Sequence, residues 1–121
     1  MDKNIKKIHL KNTINEALEM FNNSAYDILP IADNKNKLTG IITKDELEDY
    51  VLRGNSTNAD IEAVMNPEPL FIMQEDDLYK ALFLLHMNGI KTITVTNRTG
   101  QIAGILSRDI IIKKLKSYRQ Q

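Results

Sequence analysis

The chain has 121 residues, 42% of them apolar, no cysteine, and 16 basic side chains balanced by 16 acidic ones. That length suits one domain or two small units that must share a core; the missing cysteines exclude disulfides, thiolate metal sites and a cysteine nucleophile, and the balanced charge gives no global field favouring nucleic acid. No apolar run approaches a membrane span, and residues 1–10 carry lysines without an apolar stretch, so no secretory signal is expected and the expected location is the cytoplasm.

The first predicted element is an extended segment from Ile5 to Leu10. A helix follows, because Ile14, Ala17, Leu18 and Phe21 stand at i, i+3, i+4 and i+7, one face of a 3.6-residue period. A strand is expected over Ile28 to Ala32, a turn at Asn34-Lys35-Asn36, where asparagine tolerates the left-handed backbone of a tight turn, and a second strand over Leu38 to Ile42. Thr43 then stands where the N-cap of a helix belongs, and Glu46 three residues later completes a capping box. Residues 53–58, Arg-Gly-Asn-Ser-Thr-Asn, read as a polar joint. Beyond it, Ile61 to Met65 is expected to be a short helix stopped by Asn66-Pro67, since the residue before a proline is pushed out of the α region.

From there the pattern restarts. Leu70 to Met73 is extended, Leu78, Ala81, Leu82 and Leu85 form a helical stripe, Thr92 to Thr96 is a strand, Asn97 to Gly100 a turn, Ile102 to Leu106 a strand, and Ser107 a cap before the last helix. Sliding the chain by 64 residues brings the halves into register without a gap: Ile8 on Ile72, Ala17 on Ala81, Gly40 on Gly104, Ile41 on Ile105, Asp45 on Asp109. The fold expected is therefore α/β, of α+β-like character, with a βαββα unit used twice: a first repeat over 1–54, a linker over 55–59 and a second repeat over 60–121. A three-stranded sheet with helices on one face leaves its other face wet, so two such units packed sheet to sheet would close one core. The halves differ in charge: residues 1–64 hold 8 basic and 11 acidic side chains, residues 65–121 hold 8 and 5.

Three stretches carry a resemblance to cystathionine β-synthase (CBS) domains. Ile61-Glu62-Ala63-Val64-Met65-Asn66-Pro67 is similar to the family's opening helix ending in Met-Thr-Pro. Ile28-Leu29-Pro30-Ile31-Ala32-Asp33 resembles its Leu-Pro-Val-Val-Asp strand. Gly40-Ile41-Ile42-Thr43 and Gly104-Ile105-Leu106-Ser107 match its Gly-apolar-apolar-Thr/Ser strand end. The ordered set covers residues 5 to 118. The resemblance implies two units about a pseudo-two-fold axis and a regulatory module without catalytic residues. Its clefts would take an adenine nucleotide or S-adenosylmethionine as a regulatory ligand, no cofactor would be required, and a fused or separate effector would be controlled. The ligand-binding candidates it implies are Thr43, Asp45 and Glu46 in the first half and Lys91, Ser107, Arg108 and Asp109 in the second.

The two sets are unequal. Three residues after Thr43 stands Glu46, but three after Ser107 stands Ile110; Pro30 is matched by Thr94, and Asp27 by Lys91. Cation is thus expected on the second half, and at most one tightly occupied site. Gly40 and Gly104 read as close-packing positions. His9 and His86 fall at unrelated points of the repeat and suggest no metal site. Lys113, Lys114, Lys116 and Arg119 read as a solvated helix end. With no nucleophile–base pair and no phosphate loop, an enzyme is not expected. The rival readings are an ACT-like tandem metabolite sensor and a dimerisation scaffold with empty clefts; the first needs a further strand after each second helix, where Gly-Asn-Ser-Thr-Asn and the end of the chain stand instead. Tyr79, Phe83 and Met87, at i, i+4 and i+8, with Leu84 beside them, form a second apolar stripe that one core cannot use. They mark the expected homodimer interface.

Overall fold

The computed structural model describes residues 6–119. In chain order its elements are β1 (Ile8–His9), α1 (Ile14–Asn22), β2 (Ile28–Ala32), β3 (Leu38–Thr43), α2 (Lys44–Leu52), a single 3-10 turn (Ile61–Ala63), β4 (Phe71–Met73), α3 (Leu78–Asn88), β5 (Thr92–Thr96), β6 (Ile102–Ser107) and α4 (Arg108–Arg119). They make two three-stranded sheets, β1-β2-β3 and β4-β5-β6. In each, the middle strand pairs in parallel with the first and antiparallel with the third. The mixed α/β, twice-βαββα architecture is the expected one. The first strand is shorter than expected because Asn12 N–H donates to His9 O (2.8 Å) and turns the chain; Ile5 lies outside the described residues.

Local chemistry sets the helix ends. Thr13 caps α1 through a full capping box with Glu16, and α1 buries Ile14, Ala17 and Phe21. Asp77 caps α3, whose other end is released by Gly89 at φ 62°, the left-handed conformation that ends helices. The buried helical residues meet the sheets on one side. Leu29, Ile31 and Ile42 join Ile14, Ala17, Phe21 and Leu47 in the core of the first unit. In the second, Ile93, Val95 and Leu106 join Ala81, Leu85 and Ile111. Each such Ile or Leu contributes about 1.5–3 kcal/mol by leaving water.

The repeat holds down to single hydrogen bonds. Lys44 N–H donates to Asp27 O at 2.8 Å, and Arg108 N–H to Lys91 O at 2.8 Å. Asp33 N–H donates to Lys37 O (3.0 Å) and Asn97 N–H to Gln101 O (2.9 Å), closing the two hairpin turns. The left-handed residue of the first turn is Asn36 (φ 63°) and that of the second is Gly100 (φ 86°). Both hairpins shift register at the same step, between Ile31 and Ala32 and between Val95 and Thr96, where Thr39 and Ala103 of the third strands are passed over.

Contacts divide the chain after Pro69, giving compact units of residues 6–69 and, among the described residues, 70–119. The stretch expected as a linker is pinned to the first unit: Asn15 N–H donates to Thr57 O (3.0 Å), Ile14 N–H to Ala59 O (2.9 Å) and Ile61 N–H to Asn12 O (2.7 Å). Ile61 is fully buried in that unit's core. The short helix expected over Ile61–Met65 is only a 3-10 turn ending at Ala63, because Asn66 pairs in extended fashion with Ile41, Ile41 N–H to Asn66 O at 3.1 Å and Asn66 N–H to Ile41 O at 2.9 Å. Gly40 makes this approach possible: a Cβ there would stand 2.6 Å from Met65 Sδ and 2.9 Å from Asn66 O.

Candidate functional site

The site candidates collect where the third strand of each unit runs into its last helix. A helix N-terminus exposes unpaired N–H groups and partial positive charge, which suits an anion. What the neighbouring side chains do with that potential differs between the units.

In the first unit the N-terminus of α2 is closed by its own side chains. Thr43 Oγ1 accepts from Glu46 N–H (3.1 Å), while Glu46 Oε1 accepts from Thr43 N–H (3.2 Å) and from the Thr43 hydroxyl (2.8 Å). The Glu46 carboxylate therefore sits at the place an incoming anion would take. Asp45 and Asp27 are both exposed, adding negative charge to the same corner. Thr43 and Glu46 are brought together as a cap, with their hydrogen-bonding capacity turned inward.

In the second unit Ser107 Oγ accepts from Ile110 N–H at 3.3 Å, and no acid stands at the position of Glu46. Ser107 keeps its own hydroxyl hydrogen to donate. The Arg108–Lys91 backbone bond makes both residues leave the chain at one corner, and both side chains are exposed. Neither forms an ion pair among the described residues. Asp109 is exposed in the first turn of α4, where an acid is favoured by the helix dipole. The arrangement can hold an anionic group: a serine donor, a helix N-terminus and two exposed cations.

Two residues behind this junction carry a signal the sequence reading passed over. Thr94 and Thr96 of β5 are 0% and 1% exposed, and neither hydroxyl has a hydrogen-bond partner among the described residues. In the sequence Thr94 stands out only as the counterpart of Pro30. The alternation Thr92-Ile93-Thr94-Val95-Thr96 was the available clue, since a strand places every second residue on one face.

The dimer candidates lie on α3. Tyr79, Phe83 and Met87 are 61%, 60% and 63% exposed, whereas Leu84 is half-buried against the core of its own unit. A surface depression of the first unit, lined by Lys6, Asn12, Glu16, Glu19, Met20 and Asn23, contains none of the junction residues. Among the described residues no group of three or more His, Asp or Glu side chains could hold a metal ion, and no helix is long and apolar enough to cross a membrane.

Comparison with known proteins gives these junctions a family. The chain is 24% identical to a CBS domain-containing protein of Dictyostelium discoideum over 136 residues, covering all of this chain and 94% of that protein. It is 27% identical to the uncharacterized protein YtoI of Bacillus subtilis over 76% of this chain, but spans only 20% of YtoI. Among solved structures, protein MJ1225 of Methanocaldococcus jannaschii superposes with a TM-score of 0.85 at 20% identity, over 98% of this chain and 48% of that one. CBSX2 from Arabidopsis thaliana gives 0.83 at 20% identity, over 100% and 94%; in its crystal structure in complex with AMP the score is 0.80 at 21% identity, over 96% and 90%. The CBS-domain pair of protein MJ0100, crystallised with 5′-methylthioadenosine and S-adenosyl-L-methionine, gives 0.80 at 20% identity, over 98% and 93%. The CBS-domain family model matches residues 1–53 and again residues 60–117, so the chain belongs to the CBS-domain family and carries the domain as a tandem pair.

Proposed function

We propose that this CBS pair is a ligand-sensing regulatory module that binds an adenosine-containing molecule, AMP, ADP, ATP or S-adenosylmethionine, and controls a partner or fused effector. The observation that carries the reading is the junction of the second repeat, where Ser107, Lys91 and Arg108 surround an α4 N-terminus that no side-chain carboxylate caps. An adenosine ligand with a phosphate or carboxylate supplies the missing anion. The AMP bound to CBSX2 and the S-adenosyl-L-methionine crystallised with MJ0100 are ligands of this class, while the 5′-methylthioadenosine also present with MJ0100 shares the adenosine but carries no anion. The first repeat is the weaker site, because Glu46 already fills its cap and Asp27 stands where the second repeat has Lys91. No catalytic role is assigned to any residue.

The test is a calorimetric and thermal-shift screen of the four compounds. At a hundred times its dissociation constant a ligand adds about 2.7 kcal/mol, a rise in melting temperature on the order of 10 °C for a chain of this size. Lys91→Ala removes a charge-assisted contact and should weaken the best ligand about tenfold. No shift with any compound at millimolar concentration overturns the reading; unchanged affinity of Lys91→Ala, or two equal sites per chain, overturns the assignment to the second repeat. The module acts as a homodimer through the exposed stripe of α3, Tyr79, Phe83 and Met87, with a second copy of the chain as its occupant. Unmatched apolar surface of that kind is worth covering, and the opposite charge imbalance of the two halves keeps the copies from repelling each other.

A further inference from the structure

We propose that the helix layer of the second repeat, α3 with α4, docks on the helix layer of the first repeat, α1 with α2, in a second copy of the chain. The proposal rests on the homodimer reading given under Proposed function and adds which surface of the other copy the stripe of α3 meets. In each unit the two helices pack side by side over the sheet. The charges of the two layers are mirror images. α1 and α2 hold six acidic side chains, Glu16, Glu19, Asp45, Glu46, Glu48 and Asp49, and one basic, Lys44. α3 and α4 hold six basic ones, Lys80, Arg108, Lys113, Lys114, Lys116 and Arg119, and one acidic, Asp109. The whole chain carries 16 of each sign, so the charges are sorted by layer and the composition does not explain them.

The physics of single helices does not require this sorting. A helix dipole favours acids in the first turn and cations in the last, which suits Asp45, Glu46 and the lysines of α4. Glu19 and Asp49, however, stand in the C-terminal halves of α1 and α2, and neither helix has a basic residue in its last turn. Asp45 and Asp49 are like charges one helical turn apart, as are Lys113 and Lys116, a spacing that destabilises a helix. Glu19, Glu48, Lys113, Lys114 and Lys116 are exposed and form no ion pair among the described residues. A surface of opposite sign relieves both repulsions, whereas α3 laid on the α3 of another copy brings two basic layers together. Each layer also brings apolar surface to the contact. Tyr79, Phe83 and Met87 stand on the basic layer, and Leu52, 85% exposed at the end of α2, stands on the acidic one. Charge selects which surface is met, and the apolar residues supply the area removed from water. A two-fold pair makes the contact twice, each copy giving its basic layer to one contact and its acidic layer to the other.

Three proteins are compared by sedimentation, with folding checked by circular dichroism: the wild type, Lys113→Glu/Lys114→Glu/Lys116→Glu, and Glu19→Lys/Glu48→Lys/Asp49→Lys. Each triple variant reverses the sign of one layer and leaves the other as it is. Each alone should self-associate at least about tenfold more weakly than the wild type, and an equimolar mixture of the two should recover the dimer, because each variant then meets a layer of opposite sign. Raising salt from about 0.05 M to about 0.5 M screens the charges and should weaken the wild-type dimer; two basic layers face to face would instead associate more tightly. The lysine-for-acid variant dimerising like the wild type, a mixture that stays monomeric, or a wild-type dimer tightened by salt overturns this proposal and leaves the homodimer reading standing. A wild type that is monomeric at tens of micromolar overturns both.

Discussion

The two repeats share a backbone and differ in what they hang on it. The Asp27–Lys44 and Lys91–Arg108 hydrogen bonds have the same length, and the register shifts fall at the same step. Yet one junction is filled by its own glutamate and the other flanked by two cations that form no ion pair among the described residues. One sheet face carries Ile28, Pro30 and Ala32, the other Thr92, Thr94 and Thr96; one first helix shows Asn15, Glu19 and Asn23 outward, the other Tyr79, Phe83 and Met87. Backbone hydrogen bonds are indifferent to side-chain type so long as turns and caps are supplied, so a duplicated unit can keep its fold while its two copies take different tasks. Here the first copy closes its junction with Glu46, and the second leaves its junction without a carboxylate cap and an apolar stripe exposed on α3, which is why the proposal above gives binding and docking to the second.

The comparison is broken most sharply at α3. Phe83→Glu gives the second repeat the residue that the first carries at Glu19. Truncating an aromatic anchor at an interface typically costs about 2 kcal/mol or more, and a buried charge adds to that, so the variant should sediment as a monomer where the wild type is a dimer, with an unchanged circular-dichroism spectrum. A wild type that is itself monomeric at tens of micromolar removes the docking half of the contrast.

The junction contrast is sharpened by exchange. Ile110→Glu builds in the second repeat the capping box of the first, which should raise stability by about 0.3–1.5 kcal/mol while displacing an anionic ligand. Higher melting temperature together with weaker AMP binding is the expected pair of results; tighter binding would contradict the role given to Glu46.

The smallest effect concerns the hairpin turns, where Asp33 and Asn97 play one part. Each side-chain Oδ1 accepts two backbone N–H groups, from Lys35 and Lys37 in the first turn and from Thr99 and Gln101 in the second. Hydrogen bonding from the Lys37 backbone, then that from Lys35 and the charges of both lysines, hold the Asp33 carboxyl below its ordinary value near 3.8, against a smaller opposing effect of desolvation. A depressed folded-state pKa contributes stability above the unfolded value, lost as pH falls through the folded one. Stability should therefore fall with acid from about pH 4 downward, and Asp33→Asn should flatten that part of the curve, measured by urea unfolding at a series of pH values. Glu16 and Asp76, lowered chiefly by the Thr13 and Met73 backbone N–H groups, contribute in the same direction and persist in the variant.

Sequence alone determined the elements and their repetition, because they rest on local rules. The stripe Ile14, Ala17, Leu18, Phe21 allows only one face of a helix, the Thr43–Glu46 spacing encodes its own cap, and Asn and Gly at the turns supply the left-handed backbone. It also located the candidate junctions and the apolar stripe of α3, since both follow from residue types at fixed spacing. It did not determine that residues 57–66 fold back on the first repeat, because Ile61 among Asn12, Ile14 and Ile41 is a matter of long-range packing that no local pattern encodes. Nor did it distinguish Leu84 from its exposed neighbours, since position around a helix gives direction and burial depends on what lies in that direction. Thr94 and Thr96 are the clearest case. Threonine is an ordinary strand residue with a branched side chain, and only the tertiary structure set these two apart, by closing both hydroxyls away from water without a hydrogen-bond partner among the described residues.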